Sequence, residues 1–402
     1  MKVVAYPTCE LGDVAELYDS LHQTPTYANE GYPMIRVTDI RRGFLDTTNA
    51  MKVTQEVYEQ FAKKHKPQIG DILFSRVGSY GNSTFVDKRV AFCLGQNTVC
   101  ISPDRQKIQP TFLYGALNSD DLFHQIRSYV SGASQGTISL KNIRKLQVPV
   151  PPLPVQQRIA GILAAYDELI ENSQRRIKIL EAMVRGLYRE WFVHFCFPGH
   201  ENHPCVASAL GEIPGGWAIQ KVGDLVEFKK GKKPTAVFES AESGLKRHLL
   251  IDALRGGSSL EFVMPDKLIS TTVDDTIMVM DGSGSSDVFI GYEGVIGSTL
   301  GRYRVVDVSD GGPFWLFLFL DTHLEEIKSK NIGSAIPHAN KDFINGMSVA
   351  VAPKSVLLNF ERAVTPMFGL IRSLRSKTDA LRRTRDLLLP RLLSGQIEVG
   401  GT

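Results

Sequence analysis

Pro149-Val-Pro-Pro-Leu-Pro154 cannot lie inside a helix, and the chain changes character immediately after it. Apolar residues then return at Ile159, Leu163, Tyr166, Ile170, Ile177, Leu180, Val184, Leu187 and Trp191, mostly in steps of three and four, with Ser173 interrupting between Ile170 and Ile177. This is a heptad stripe, and it predicts a helix roughly 50–60 Å long at ~1.5 Å rise per residue. No compact domain needs a helix of that length for its own core. A second stripe follows Ala352-Pro353, with Phe360, Val364, Met367, Ile371, Leu374, Leu381 and Leu388 in place and Pro390 expected to stop or kink the helix. Two long helices with one apolar stripe each bury those stripes most economically against one another, which predicts an antiparallel coiled coil. The alternative is that each helix packs on its own globule.

Outward from these helices the chain repeats itself. Leu11-Gly-Asp-Val-Ala-Glu-Leu17 returns as Val222-Gly-Asp-Leu-Val-Glu-Phe228, displaced by 211 residues. Gly70-Asp-Ile-Leu-Phe-Ser-Arg-Val-Gly-Ser79 returns as Asp274-Asp-Thr-Ile-Met-Val-Met-Asp-Gly-Ser283, displaced by 204 residues. Gly132 through Ile143 to Val148 and Val150 returns as Gly333 through Ile344 to Val349 and Val351, displaced by 201 residues. Matching blocks are apolar and Gly-rich, as framework strands and turns are, whereas the stretches between them do not match. One scaffold carrying two different surfaces is the expectation. The fold class that follows is α+β: globule, long helix, globule, long helix, with an internal pseudo-two-fold repeat, divided at 1–152, 153–197, 198–352 and 353–402.

Bulk properties limit the function classes. With 402 residues, 43% hydrophobic and 22% charged, a formal charge of +3 suits nucleic acid as a partner without demanding it. The five cysteines, Cys9, Cys93, Cys100, Cys196 and Cys205, form no C-x-x-C pair, so neither disulfide staples nor a structural zinc is expected, and a reducing cytoplasm fits. The opening residues lack a basic region followed by a long apolar run, so no signal peptide is expected. Phe314-Trp-Leu-Phe-Leu-Phe-Leu320 is too short to cross a bilayer, which takes about 20 residues, and reads as a buried strand or helix.

Signatures of catalysis are missing. No G-x-x-x-x-G-K-[ST] or H-E-x-x-H occurs, nor the Asn/Asp-Pro-Pro-Tyr/Phe tetrapeptide that an amino-methyltransferase needs. His194, His200 and His203 cluster in a polar linker without metal-ligand spacing, so no metal is expected there. Asp281-Gly-Ser-Gly-Ser-Ser-Asp287 and its counterpart Arg76-Val-Gly-Ser-Tyr-Gly-Asn82 could cradle phosphates through backbone N–H groups, or could be tight hairpin turns.

Together these features resemble the specificity subunits of type I restriction-modification systems, along essentially the whole chain. Its most specific stretch is Ser131-Gly-Ala-Ser-Gln-Gly-Thr-Ile-Ser-Leu-Lys-Asn-Ile-Arg-Lys-Leu-Gln-Val-Pro-Val-Pro-Pro-Leu-Pro-Val-Gln-Gln-Arg-Ile159, similar to the end of a target-recognition domain running into the first conserved helix. Leu187-Tyr-Arg-Glu-Trp-Phe192 resembles that helix's close, and Gly211-Glu-Ile-Pro-Gly-Gly-Trp217 a recognition domain's opening. Leu387-Leu-Leu-Pro-Arg-Leu-Leu-Ser-Gly-Gln-Ile397 resembles the C-terminus of such chains. Val155 stands where these subunits commonly carry a glutamate. The resemblance implies two target-recognition domains, each reading one half of a split site in double-stranded DNA, with the helix pair setting the spacer. It implies two methyltransferase subunits docked on the helices, a restriction or motor subunit in the larger assembly, and no membrane. S-adenosylmethionine, ATP and magnesium would belong to those partners, leaving this chain non-catalytic, without a cofactor or metal of its own.

Base edges are read by Arg, Lys, Asn, Gln, Ser and Thr on exposed loops, and phosphates by positive charge and backbone N–H groups. In the first domain the candidates are Arg41, Arg42, Arg76, Ser79, Tyr80, Asn82, Ser134, Gln135, Thr137 and Lys141. In the second they are Lys229, Lys230, Lys232, Lys233, Arg255, Ser283, Ser285, Ser286, His338, Asn340 and Lys341. The basic run Arg372, Arg375, Lys377, Arg382, Arg383 and Arg385 on the second helix suits solvent, DNA or a methyltransferase equally. A coiled-coil scaffold that binds only proteins is the competing reading, and a DNA shift assay separates the two.

Overall fold

A computed structural model describes residues 6–131, 136–257, 259–282, 284–307, 312–333 and 336–399. The chain divides into two compact units, residues 1–172 with 380–402, and residues 173–379, so each unit takes a part of both long helices.

The first unit opens on strand Thr8–Glu10, which pairs antiparallel with Gln147–Pro149, so the globule begins and ends at one place. Helix Leu11–Val14 follows directly, and Leu11 N–H donates to the Leu146 carbonyl at 2.8 Å. Four antiparallel strands come next in the order Ala15–Asp19, Thr98–Pro103, Ile72–Ser75, Ser83–Phe85. A smaller sheet joins Met51–Val53, Tyr32–Ile35 and Cys93–Leu94, the last two parallel. Leu11, Ile72, Phe74, Val99, Ile101 and Phe112 are wholly buried between the main sheet and its helices.

The second unit repeats this plan with one strand more in its smaller sheet. Ala218–Lys221 pairs with Ser348–Val351, helix Val222–Leu225 follows, and Val222 N–H donates to the Met347 carbonyl at 3.0 Å. Its main sheet runs Val226–Lys230, Leu300–Val305, Thr276–Val279, Val288–Phe289. The second sheet runs Glu261–Val263, Lys246–Leu249, Gly294–Ile296, Ile269–Thr271, again with one parallel pair. The repeated Leu/Val-Gly-Asp blocks have a steric reason. A Cβ at Gly12 would touch Arg144 at 3.4 Å, and one at Gly223 would meet Asn345 at 3.0 Å, because the short helix before the closing strand crosses there in both units. Phe314-Trp-Leu-Phe-Leu-Phe-Leu320 is a helix, Pro313–Thr322, buried on all sides as its lack of a polar face requires.

The long helices span Leu153–Tyr188 (36 residues) and Lys354–Leu393 (40 residues). Pro390 does not stop the second one, which runs on to Leu393. Their pairing is antiparallel in each unit taken by itself. In the first, Leu163 and Leu389 close over Gly115, where a Cβ would lie 2.9 Å from the Leu163 Cδ1, and Arg385 meets Asp167 at 2.5 Å. In the second, Arg375 meets Glu181 at 3.0 Å, while Phe360 lies among Tyr188, Trp191 and Phe192. The stripes also enter the globular cores: Ile159, Leu163 and Leu392 in one, Val184, Leu357 and Val364 in the other. Both arrangements expected from the stripes therefore hold together.

Helix Pro313–Thr322 lacks a side-chain cap of its own, and the carboxyl of Glu361 on the second long helix accepts the Trp315 N–H at 2.9 Å instead. Burial pushes this carboxyl from an ordinary 4.5 up to about 7, against the lowering effect of the Trp315 and Phe314 N–H groups. The folded state thus favours the protonated form. Its contribution is complete below the unfolded pKa and is lost as pH rises through about 7. Glu361→Gln keeps the acceptor without the charge. In urea unfolding of the second unit it is expected to match the parent near pH 5 and exceed it at pH 8, by up to about 3 kcal/mol; parallel stability curves at both pH values would refute this.

Candidate nucleic-acid interface

In each unit the loop that leaves the central strand is tied to a second loop far along the chain, and the ties are the same bond for bond. In the first unit Val77 bridges to Thr137 and Thr137 to Ser131. Gly78 N–H donates to the Gly136 carbonyl at 3.2 Å, and Ile138 N–H to the Arg76 carbonyl at 3.0 Å. In the second, Asp281 bridges to His338 and His338 to Ile332. Gly282 N–H donates to the Pro337 carbonyl at 2.9 Å, and Ala339 N–H to the Met280 carbonyl at 2.8 Å. Candidate residues distant in sequence are thereby gathered into one double loop per unit. The tight turns need left-handed backbone, supplied by Gly78 (φ 71°) and Gly81 (φ 84°) in one, and by Gly282 (φ 107°) and Ser286 (φ 78°) in the other.

The side chains on this shared framework differ. In the first unit Ser79, Asn82 and Lys141 are exposed, and Tyr80 stacks on Phe123 with ring centroids 6.5 Å apart. Thr137 is half-buried between the two loops. Arg76 is held inward: its guanidinium donates to both carboxylate oxygens of Asp19 at 2.7 and 2.8 Å and to the Ile138 carbonyl at 3.2 Å. Arg76 therefore locks the loop onto the sheet, a structural role in place of the expected surface one. Arg41 and Arg42 stand apart from the double loop. Arg41 is anchored through its backbone to Thr84, and Arg42 pairs with Asp386 at 3.1 Å. Ser134, Gln135 and Ser283 lie outside the described residues.

In the second unit the basic groups are more numerous and are spaced by acids. Asp281 sits between Lys230 at 2.9 Å and His338 at 2.8 Å. Burial raises the carboxyl of Asp281, but hydrogen bonds from His338 and Lys230 hold it below the ordinary aspartate value. Asp287 sits between Arg255 at 2.5 Å and Lys328 at 3.1 Å. Lys341, just past the capping residue Asn340, lies 5.1 Å from the Phe228 ring centre. Lys229 pairs with Glu227 at 2.7 Å, whereas Lys232 and Lys233 project from the turn beyond the strand. Gly231 in that turn is obligatory, since a Cβ there would lie 2.1 Å from the Gly297 carbonyl oxygen. Ser285 and Ser286 are buried and turned inward, their hydroxyls donating to the Pro337 carbonyl at 2.6 Å and Asn331 Oδ1 at 2.7 Å. They shape the loop from inside and leave no hydroxyl at the surface.

Sequence reasoning missed the acids Asp19, Asp281 and Asp287, the base Lys328, and the exposed Ile332 and Ile336 beside His338. Partners 57, 51 and 32 residues apart leave no linear signal.

This doubled framework with two dissimilar surfaces has known counterparts. Residues 4–182 match the family model described as type I restriction modification DNA specificity domain. Along nearly its whole length the chain is similar to type I restriction-modification specificity subunits. It is 24% identical, across 97% of its own length and 93% of the other's, to the Methanocaldococcus jannaschii protein named for the MjaX type I restriction specificity subunit. It is 20% identical to the HindI specificity subunit of Haemophilus influenzae, over 82% of this chain and 86% of that one. A solved structure of the type I S subunit from M. genitalium superposes with a TM-score of 0.59 at 16% identity, covering 98% of this chain and 97% of that one, and so shares the fold.

The inward Arg76 generates a prediction. Arg76→Ala leaves the mostly buried Asp19 facing only the exposed His22 among its described side-chain partners and is expected to cost about 2–4 kcal/mol of stability in the first unit, measured by urea denaturation. The Asp19→Ala, Arg76→Ala double variant is expected to lose less than the sum of the two single changes; additive losses would mean the pair does not couple.

Proposed function

We propose that this chain reads a two-part sequence in double-stranded DNA, one half with each unit, and carries methyltransferase and restriction subunits while doing no covalent chemistry itself. The observation that carries this reading is the double loop, built on the same backbone bridges in both units but dressed with different side chains. A protein with internal two-fold architecture and unlike surfaces suits a split, asymmetric target. In the first unit Ser79, Asn82, Lys141, Arg41 and Arg42 offer groups for base edges and phosphates. In the second, Arg255, Lys328, His338 and Lys341 do so, with Ile332 and Ile336 available to thymine methyls. Acids between the bases hold them apart in the free protein, so DNA must compete with Asp281 and Asp287, which favours correctly placed phosphates and base acceptors over any anion.

The paired long helices would carry two methyltransferase subunits, with a restriction or motor subunit in the larger assembly. S-adenosylmethionine, ATP and magnesium would be held by those partners. No helix of the described residues is long and apolar enough to cross a membrane, and the cytoplasm, where DNA and partners meet, is the expected place of action.

Co-expression with the methyltransferase subunit of the same source, followed by mapping of methylated sites, tests this reading. A split motif methylated only when this chain is present supports it; unchanged methylation with no complex would make a protein-only scaffold the better account. A finer test neutralises Lys229, Lys230, Lys232 and Lys233. Binding is expected to weaken on all sequences, and the slope of log affinity against log salt to shrink by about 2–4. Because Lys229 and Lys230 already face Glu227 and Asp281, Lys232 and Lys233 are expected to account for most of the change. An unaltered slope would remove this strand from the DNA surface.

A further inference from the structure

The two units treat one framework aspartate differently. In the second unit Asp275 accepts the Thr272 N–H at 2.7 Å and is neutralised by the guanidinium fork of Arg304, with both contacts at 2.7 Å. Its counterpart Asp71 accepts the Gln68 N–H at 2.8 Å in the same turn, but Ser102 occupies the register position of Arg304. No arginine reaches Asp71 among its described contacts. Instead its Oδ2 lies 2.6 Å from His65 Nε2 and 3.4 Å from the Cys100 sulfur. His65 arrives on a segment peculiar to the first unit, just past helix Gln55–Phe61. Cys100 stands where the second unit has Arg302.

The three ligand atoms, a ring nitrogen, a carboxylate oxygen and a sulfur, lie within 4.8 Å of one another. Asp71 and Cys100 are buried, and His65 supplies the partly open side. We propose that His65, Asp71 and Cys100 form a binding site for a borderline-soft divalent cation, with Zn2+ the best match, that clips the inserted segment onto the main sheet. Nitrogen and sulfur donors together with one carboxylate suit zinc and disfavour magnesium or calcium.

Bond lengths of about 2.0–2.3 Å put tetrahedral ligands roughly 3.3–3.5 Å apart. The sulfur–oxygen separation already has that value. The histidine has to move, withdrawing from the Asp71 oxygen at 2.6 Å and closing on the Cys100 sulfur, since the three atoms now span up to 4.8 Å, and its side-chain torsions allow that movement. Tyr18 lies flat against that ring, with centroids 4.1 Å apart and planes 4° from parallel, so the ring is oriented from behind. A water molecule would complete four ligands on the open side. His65 binds through an unprotonated Nε2, and Cys100 as thiolate, its proton passing to solvent when the metal enters. Burial and the neighbouring Asp71 keep the free thiol protonated, so affinity rises with pH. No linear motif announces this set, because the ligands are 6 and 29 residues apart.

Cobalt(II) titration of the full chain tests the site, in a background where the exposed Cys196 and Cys205 are serine. One equivalent of Co2+ is expected to give a thiolate-to-metal charge-transfer band that Zn2+ abolishes. Cys100→Ser, which keeps a donor to Asp71, should fold and lose the band, and His65→Gln should weaken Co2+ at least about tenfold. Zn2+ should also raise the melting temperature of the parent and of neither variant. No band, a band that survives Cys100→Ser, or equal zinc stabilisation of all three proteins would overturn the proposal.

Discussion

Each globule must begin and end at the same point, and the rest of the structure depends on how that is met. Three antiparallel pairs, Thr8 with Pro149 through Glu10 with Gln147, close the first unit, and four, from Ala218 with Val351 to Lys221 with Ser348, close the second. Closing a loop of well over a hundred residues is entropically unfavourable, but the cost grows only slowly with length, so the span between the closing strands can vary freely. That freedom is where the units differ: the first inserts helix Gln55–Phe61, while the second adds strand Ile269–Thr271 to its smaller sheet. A long helix departs directly after each closing strand, so its starting point is set by the same few backbone bonds.

Above this closure the double loop separates framework from surface chemistry. Its backbone bridges are identical in the two units, so its position owes nothing to the exposed side chains. Those side chains can then change without moving the loop, provided that buried anchors remain. Arg76 with Asp19 is such an anchor in one unit, and Ser285 and Ser286 with Pro337 and Asn331 in the other. Surface chemistry and loop geometry are thus carried by different residues, which lets one architecture present two unlike surfaces.

This division explains what was legible in the sequence. The repeat blocks were visible because they are strands and turns under steric constraint: Gly12 and Gly223 under crossing helices, Asp71 and Asp275 in the same turn. The heptad stripes were visible because burial imposes a period. Burial of individual polar residues was not, since a Gly/Ser loop reads the same whether its hydroxyls face in or out. Ser285 and Ser286 became surface candidates for that reason, and Arg76 because its carboxylate partner is 57 residues away. Pro390 misled as well: it forgoes an N–H toward the Asp386 carbonyl, but packing of Leu389, Leu392 and Leu393 holds the last turn.

Apolar stripes alone would leave the long helices free to slip by a heptad, since leucine replaces leucine at nearly equal energy. Charged side chains facing specific partners remove that degeneracy. Arg385 is mostly buried against Asp167, and a slipped helix would take it away from that carboxylate and leave it only Asp386, which travels on the same helix, a state higher in energy. Arg375 goes further: it pairs with Glu181, donates to the Ile290 carbonyl at 3.1 Å and lies 5.2 Å from the Tyr292 ring centre. One side chain thus ties the helix pair and the sheet of the second unit together. Within that unit, register between the helices and orientation of the sheet on them become a single choice.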